Sequence, residues 1–159
     1  MSVIQSIKQS LLAVGLAAPR STVEYTRTPN FKAFLTANSK FKDLIFNVLA
    51  LDVYFFWKLN DLEYRKKFIF RCIEIRNCFK IFLLAQSRAT DCHQRSLKIE
   101  QLLLKYANFI YAAMTAYIDM AHQNNLKSRA SAIHKAGYFF SLAAKTIKEA
   151  RYLLPDSML

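Results

Sequence analysis

The chain has 159 residues, 53% of them hydrophobic and 21% charged, and its 23 Lys and Arg against 11 Asp and Glu leave a formal net charge of +12. It holds only 2 Gly and 3 Pro. The length fits one domain, and so apolar a chain is not disordered. So few glycines argue against strand-rich folds, whose hairpins and bulges lean on positive φ, and leave no Gly-rich loop to cradle a phosphate. What remains is a basic, all-α protein.

Residues Met1 to Ala18 carry no acid and end in the apolar run Leu11 to Ala18. This resembles a weak signal or transit peptide, but Lys8 is the only charge before Arg20 and Pro19 follows directly. The favoured expectation is a short amphipathic helix docked on the domain. Arg20 to Asn30 is polar, contains Pro29 and reads as an extended linker. The predicted organisation is therefore a short helix and linker over residues 1–30, a helical bundle over 31–154 and a frayed C-terminus over 155–159.

The first long helix is predicted from Phe31 to Leu59. Phe34, Ala37, Phe41, Leu44, Val48, Leu51 and Phe55 recur at the three- and four-residue spacing of a helix packed lengthwise on others. Asn60-Asp61 breaks it, with Asp61 a candidate N-cap. The second runs from Leu62 to Ser87 on Tyr64, Phe68, Cys72, Ile75, Phe79 and Phe82. Thr90-Asp91 offers the next cap. The third, Asp91 to Gln123, repeats Ile99, Leu103, Tyr106, Ile110, Ala113, Tyr117 and Met120, and Asn124-Asn125 suit a C-cap and turn. The fourth, Lys127 to Leu154, carries Ile133, Ala136, Phe140, Ala143, Ile147, Ala150 and Leu154, with Gly137, Ala143 and Ala144 small enough for close helix approach. Four such helices on short turns predict an up-down-up-down four-helix bundle with a short additional N-terminal helix.

The apolar windows Leu44 to Trp57 and Tyr106 to Ile118 are too short to span a bilayer, so no membrane span is expected. Three cysteines, Cys72, Cys78 and Cys92, without short-spaced pairs suit free thiols in a reducing cytoplasm and not a zinc site. His93, His122 and His134 form no HExxH or ExxH pair, and Asp52, the acid deepest in an apolar run, reads as one half of an ion pair at a bundle edge. No nucleophile, metal set or cofactor motif is present in the sequence, and no enzymatic activity is expected.

The cations are more informative. Between Asp61 and Lys98 stand Arg65, Lys66, Lys67, Arg71, Arg76, Lys80, Arg88, Arg95 and Lys98 against Asp61, Glu63, Glu74 and Asp91. Arg65, Arg76 and Lys80 fall within about 60° on a helical wheel. Lys127, Arg129 and Lys135 open the fourth helix, and Lys145, Lys148 and Arg151 close it. Such an excess is the footprint of a polyanion-binding protein, and Phe70, Tyr64 and Tyr138 are candidates to stack on bases. The expected nucleic-acid contacts are Arg65, Lys66, Lys67, Arg71, Arg76, Lys80, Arg88, Arg95, Lys98, Lys127 and Arg129, with RNA favoured over DNA. The second helix is apolar nearly all round, adding Ile69, Phe70, Ile73, Cys78, Ile81, Leu83 and Leu84. Phe70, Ile73, Ile81 and Leu84 are accordingly expected at a homo-oligomer interface.

The tract Lys66-Lys67-Phe68-Ile69-Phe70-Arg71-Cys72-Ile73-Glu74-Ile75-Arg76, then Phe79 to Ala85, then Gln94 and Ile99-Glu100-Gln101-Leu102-Leu103, resembles part of a known family. These are the four-helix-bundle accessory variability determinants of diversity-generating retroelements, related in fold to proteins encoded in 23S rRNA intervening sequences. The resemblance covers about a third of the chain; the Gly-Gly-Trp-like ending is replaced by Ala112-Ala113-Met114, and Lys127 to Leu154 is an extra element. It implies a non-enzymatic homopentamer that binds a reverse transcriptase and its template RNA, with Lys66, Lys67, Arg71, Arg76 and Lys80 in the matching helix. Two rival readings keep the basic bundle: a small subunit of an RNA-guided effector complex, and a structural adapter for acidic proteins.

Overall fold

Turns and caps partition the described chain into helices whose boundaries follow from a few side chains. The computed structural model describes residues 19–90, 97–155 and 159, and among them six helices and no strand occur. These are α1 (Pro19–Tyr25), α2 (Pro29–Leu51), α3 (Tyr54–Lys58), α4 (Leu62–Thr90), α5 (Lys98–His122) and α6 (Leu126–Leu153). The all-α expectation holds. The helix expected within residues 1–18, the cap at Asp91 and the frayed segment 156–158 lie outside the described residues.

Two expectations change. The extended linker is instead partly helical, because Pro19 and Pro29 each sit in a first turn, where a missing N–H costs nothing and φ near −65° is already helical. Thr28 caps α2 by accepting from the Phe31 N–H at 3.3 Å. The first long helix is not continuous to Leu59: it ends at Leu51, and Asp52 takes φ 49° while its N–H bonds the carbonyls of Val48 and Leu49. Asp52 is therefore an exposed C-cap, and the ion pair read from its apolar neighbours does not occur among the described residues. Asp61 does cap the next helix, its Oδ1 accepting from Glu63 N–H at 3.0 Å and Tyr64 N–H at 3.3 Å. Asn125 caps the start of α6, accepting from Ser128 N–H at 2.8 Å, and so serves the helix after the turn rather than the one before it.

Helix α5 lies along both α4 and α6, and α2 packs on α4. Every position of the seam predicted for α5 is buried, from Ile99 through Met120. Phe34 of α2 is fully buried, meeting Phe82 at 5.4 Å, Tyr106 at 5.6 Å and Phe79 at 6.3 Å between ring centroids. A second aromatic cluster fills the far end, where Phe55 meets Phe68 at 5.1 Å and Phe68 meets Tyr117 at 5.7 Å. Burying such side chains contributes roughly 2–3 kcal/mol each before chain entropy is counted.

Among the described residues, the polar side chains inside the fold are paired. The Tyr25 hydroxyl donates to Gln86 Oε1 at 2.8 Å, and Gln86 Nε2 donates to Glu100 Oε2 at 2.6 Å, so α1 is tied to α4 and α5. The Tyr106 hydroxyl donates to Asn38 Oδ1 at 2.5 Å across α5 and α2. Burial raises the pKa of Tyr25, with the Glu100 carboxylate adding to the effect, and burial likewise raises that of Tyr106.

Candidate nucleic-acid interface

The cations of α4 alternate with its buried positions, so folding the seam inward turns them outward. Phe68, Cys72, Ile75, Phe79 and Phe82 are buried, and Lys66, Lys67 and Lys80 are exposed on the remaining arc. Arg65, Arg71 and Arg76 are half-buried at its edges. On the edge toward α5, the Arg76 guanidinium lies over the Tyr111 ring at 5.7 Å and donates to Thr115 Oγ1 at 3.3 Å. Tyr111 and Thr115 are thus part of the face, and nothing in their sequence spacing announced it, because a contact between helices has no local signature. On the edge toward α2, Arg71 borders a hollow shared with Lys40, Asp43 and Glu74.

From Arg65 to Lys80 the helix carries Arg65, Lys66, Lys67, Arg71, Arg76 and Lys80 and a single acid, Glu74. That acid is engaged: Lys40 Nζ bonds Glu74 Oε1 at 2.6 Å. The hydrogen bond to Glu74 raises the pKa of Lys40 and keeps it charged. Arg65, Lys66, Lys67 and Lys80 have no carboxylate partner among the described residues. Cations without fixed partners, spaced along a helix, can each meet a phosphate oxygen without first breaking an internal bond.

Lys98 and Lys127 are exposed at the starts of α5 and α6. Arg88 and Arg95 lie outside the residues whose side chains are described. Arg129 must be withdrawn as a contact. It is 2% exposed, and its Nε donates to the Gln123 carbonyl at 3.0 Å while one terminal nitrogen donates to the Phe56 carbonyl at 3.1 Å and Asn60 Oδ1 at 2.8 Å. It fastens the α5–α6 turn to the α3–α4 turn. A guanidinium has the five fixed donors that such a junction of loose carbonyls requires.

Of the aromatics considered for stacking, Phe70 is 68% and Tyr138 61% exposed, whereas Tyr64 is half-buried, its ring stacked on Phe68 and covered by Lys58 Nζ at 5.5 Å. The four expected interface residues share the outward side of α4: Phe70, Ile81 and Leu84 are exposed and Ile73 is half-buried. An unexpected second apolar surface runs over the α2–α3 junction, where Phe46, Leu49, Val53, Tyr54 and Trp57 are exposed.

Among the described residues no group of three or more His, Cys, Asp and Glu could hold a metal ion, and no helix is long and apolar enough to cross a membrane. His122 and His134 lie toward the surface, and His122 Nδ1 is 2.8 Å from the Ile118 carbonyl one turn back; His93 lies outside the described residues. Cys72 is fully buried, and burial pushes its thiol up to about 12, against the pull of Arg71 and Arg76. No protein-family model matches the chain, and neither the curated proteins nor the solved structures yield a significant match.

Proposed function

We propose that this chain is a non-enzymatic nucleic-acid-binding protein that scaffolds a nucleoprotein complex, with RNA the favoured polymer and the cytoplasm its compartment. In this reading α2 with α3, α4, α5 and α6 form the four members of an up-down-up-down bundle, and α4 presents the binding face. The observation that carries the reading is the run of six cations from Arg65 to Lys80 whose one intervening acid, Glu74, is already bonded to Lys40. A phosphate backbone is the ligand that such a row complements: each contact displaces condensed counterions and adds sequence-independent affinity.

The narrower form of the proposal is an accessory protein for a reverse transcriptase in a diversity-generating retroelement, assembled as a homo-oligomer. Its support is the resemblance between Lys66 and Leu103, together with the exposure of Phe70, Ile81 and Leu84 beside the cations. Light scattering on Phe70→Glu/Ile81→Glu checks the assembly: the variant has the mass of a monomer where the parent does not, and an identical mass for both removes this form of the reading.

Binding is tested with labelled single-stranded RNA in retention assays across a salt series. Four phosphate contacts give a log–log slope of about −3. Reversing Arg65, Lys66 and Lys80 to Glu weakens binding far more than reversing Lys135, Lys145 and Lys148, which changes net charge equally. Equal losses from the two triple variants would mean bulk charge and no defined face, and absence of binding at about 50 mM salt ends the proposal. Arg76 is left out of the test set because its contacts with Tyr111 and Thr115 also hold α4 to α5.

A further inference from the structure

An apolar groove runs between α2 and α6, away from the basic arc of α4. Tyr106, Ile110 and Tyr117 of α5 form its floor, and it holds about 340 Å³. The Phe41 and Phe140 rings meet at 5.6 Å between centroids and close its base. On the α2 rim Leu49 is 67% exposed, and Phe46 beside it is 69% exposed. On the α6 rim Gly137, Ala144, Lys148 and Arg151 fall along one helical line. Ala144 is exposed, and a Cβ built on Gly137 would meet nothing within 4 Å. That rim is low, so the backbone of another helix can come close to it.

The charges around the groove have one sign. Lys42 lines it, half-buried. Lys148 and Arg151 are exposed and continue the α6 rim, and the positive field of Arg151 reaches Tyr106 on the floor. None of the three has a carboxylate partner among the described residues. Two occupants from this chain itself are poorly matched. Residues 1–18 contain Lys8 and no acid, and a second copy docked groove to groove would set its own Lys42, Lys148 and Arg151 against these.

We propose that the groove between α2 and α6 seats an amphipathic helix of a partner protein, with its apolar stripe over Tyr106 and Ile110 and an acidic flank against Lys42, Lys148 and Arg151. This is helix-in-groove recognition, in which anchors one turn apart fill the trough and flanking charges set orientation. The groove and the α4 cations lie on different helix pairs, so the bundle can hold nucleic acid and a protein partner at once. Occupancy of the groove does not depend on what α4 binds.

The full chain is titrated against a fluorescein-labelled synthetic helix of roughly 18 residues, with a leucine stripe and a glutamate flank, and against the same peptide with lysine on that flank. Anisotropy is expected to show the glutamate peptide binding at least about tenfold tighter. Ala144→Glu removes that preference by placing like charge at the seat, and Lys42→Glu/Arg151→Glu reverses it, while Lys66→Glu leaves it unchanged. The surface double variant keeps the test decisive if Ala144→Glu loses helicity. Equal affinity of the parent chain for both peptides, or a glutamate-peptide preference that survives Ala144→Glu in a folded variant, overturns the proposal. Self-association of the full chain abolished by Ala144→Glu overturns it in favour of a second copy. Disulfide trapping between Leu11→Cys and Ala144→Cys overturns it in favour of the chain's own N-terminal segment.

Discussion

At the scale of single residues, Arg129 and Cys72 show how burial reassigns chemistry. A cation at the start of a helix suggests an anion contact, yet the Arg129 guanidinium is spent inside, on two backbone carbonyls and Asn60. Removing it strands those acceptors, so Arg129→Met is expected to lower the unfolding free energy by about 3 kcal/mol in denaturant titrations. Arg129→Lys recovers little of this, because an ammonium cannot span three acceptors in the guanidinium plane. RNA affinity of the folded Arg129→Met protein should stay unchanged; a loss would return Arg129 to the interface. For Cys72 the raised thiol pKa and full burial predict no alkylation by iodoacetamide at neutral pH in the native chain, whereas half-buried Cys78 reacts; peptide mass mapping reads both. Glu100 carries a pH dependence. Burial raises its carboxyl pKa, outweighing the hydrogen bonds from Leu97 and Gln86. The folded chain then holds this proton more tightly than the unfolded one, so the contribution is fully present below the ordinary Glu value and lost as pH rises through the raised one. Glu100→Gln keeps an acceptor for Gln86 and should flatten that part of the stability–pH curve; an unaltered slope as pH rises above the ordinary Glu value refutes the assignment.

At the scale of elements, the helical period was legible, as were the breaks at Asp61 and at Asn124-Asn125, but the interruption at Asp52 was not. The seams through Phe34, Phe68, Ile99 and Ala136 turned inward as their spacing required, because burying an apolar stripe is the strongest force driving the chain together. The break between α2 and α3 was missed because Leu51-Asp52-Val53 contains neither Gly nor Pro. The turn there rests on Asp52 at φ 49° and ψ −125°, positive-φ backbone outside the left-handed helical well that a residue with a side chain rarely adopts. Asp52→Gly relieves that strain and should stabilise the chain by about 0.5–1 kcal/mol, visible as a higher denaturant midpoint. A lower midpoint would mean that the Asp side chain itself secures the turn. The site was legible to the extent that it depends on one helix: the α4 cations stand outside the seam, and Phe70, Ile81 and Leu84 stand opposite it. Whatever spans two helices was not. Arg76 over Tyr111, Lys40 on Glu74 and the trough between α2 and α6 arise from packing between segments distant in sequence.

At the scale of the whole molecule, two surfaces differ in how densely they are charged. The α4 arc is cationic, and the α2–α6 side is a trough with a sparse cationic rim, so salt should affect the two differently. Nucleic-acid affinity falls steeply across a salt series, whereas an apolar helix held in the trough loses less for the same change. The short helix α1 belongs to this picture as an element joined at its end through Tyr25 to Gln86 and onward to Glu100. That relay links residues 61 positions apart with one phenol and one amide. Its release breaks the hydrogen bond from Tyr25 to Gln86 and the edge contact of Tyr25 on Phe31, while the Phe34 and Phe55 clusters stay intact. This unit is expected to open below the free energy of global unfolding. Amide exchange over residues 22–25 should be measurable at times when α5 is still fully protected, and Tyr25→Phe should hasten it without altering exchange in α5.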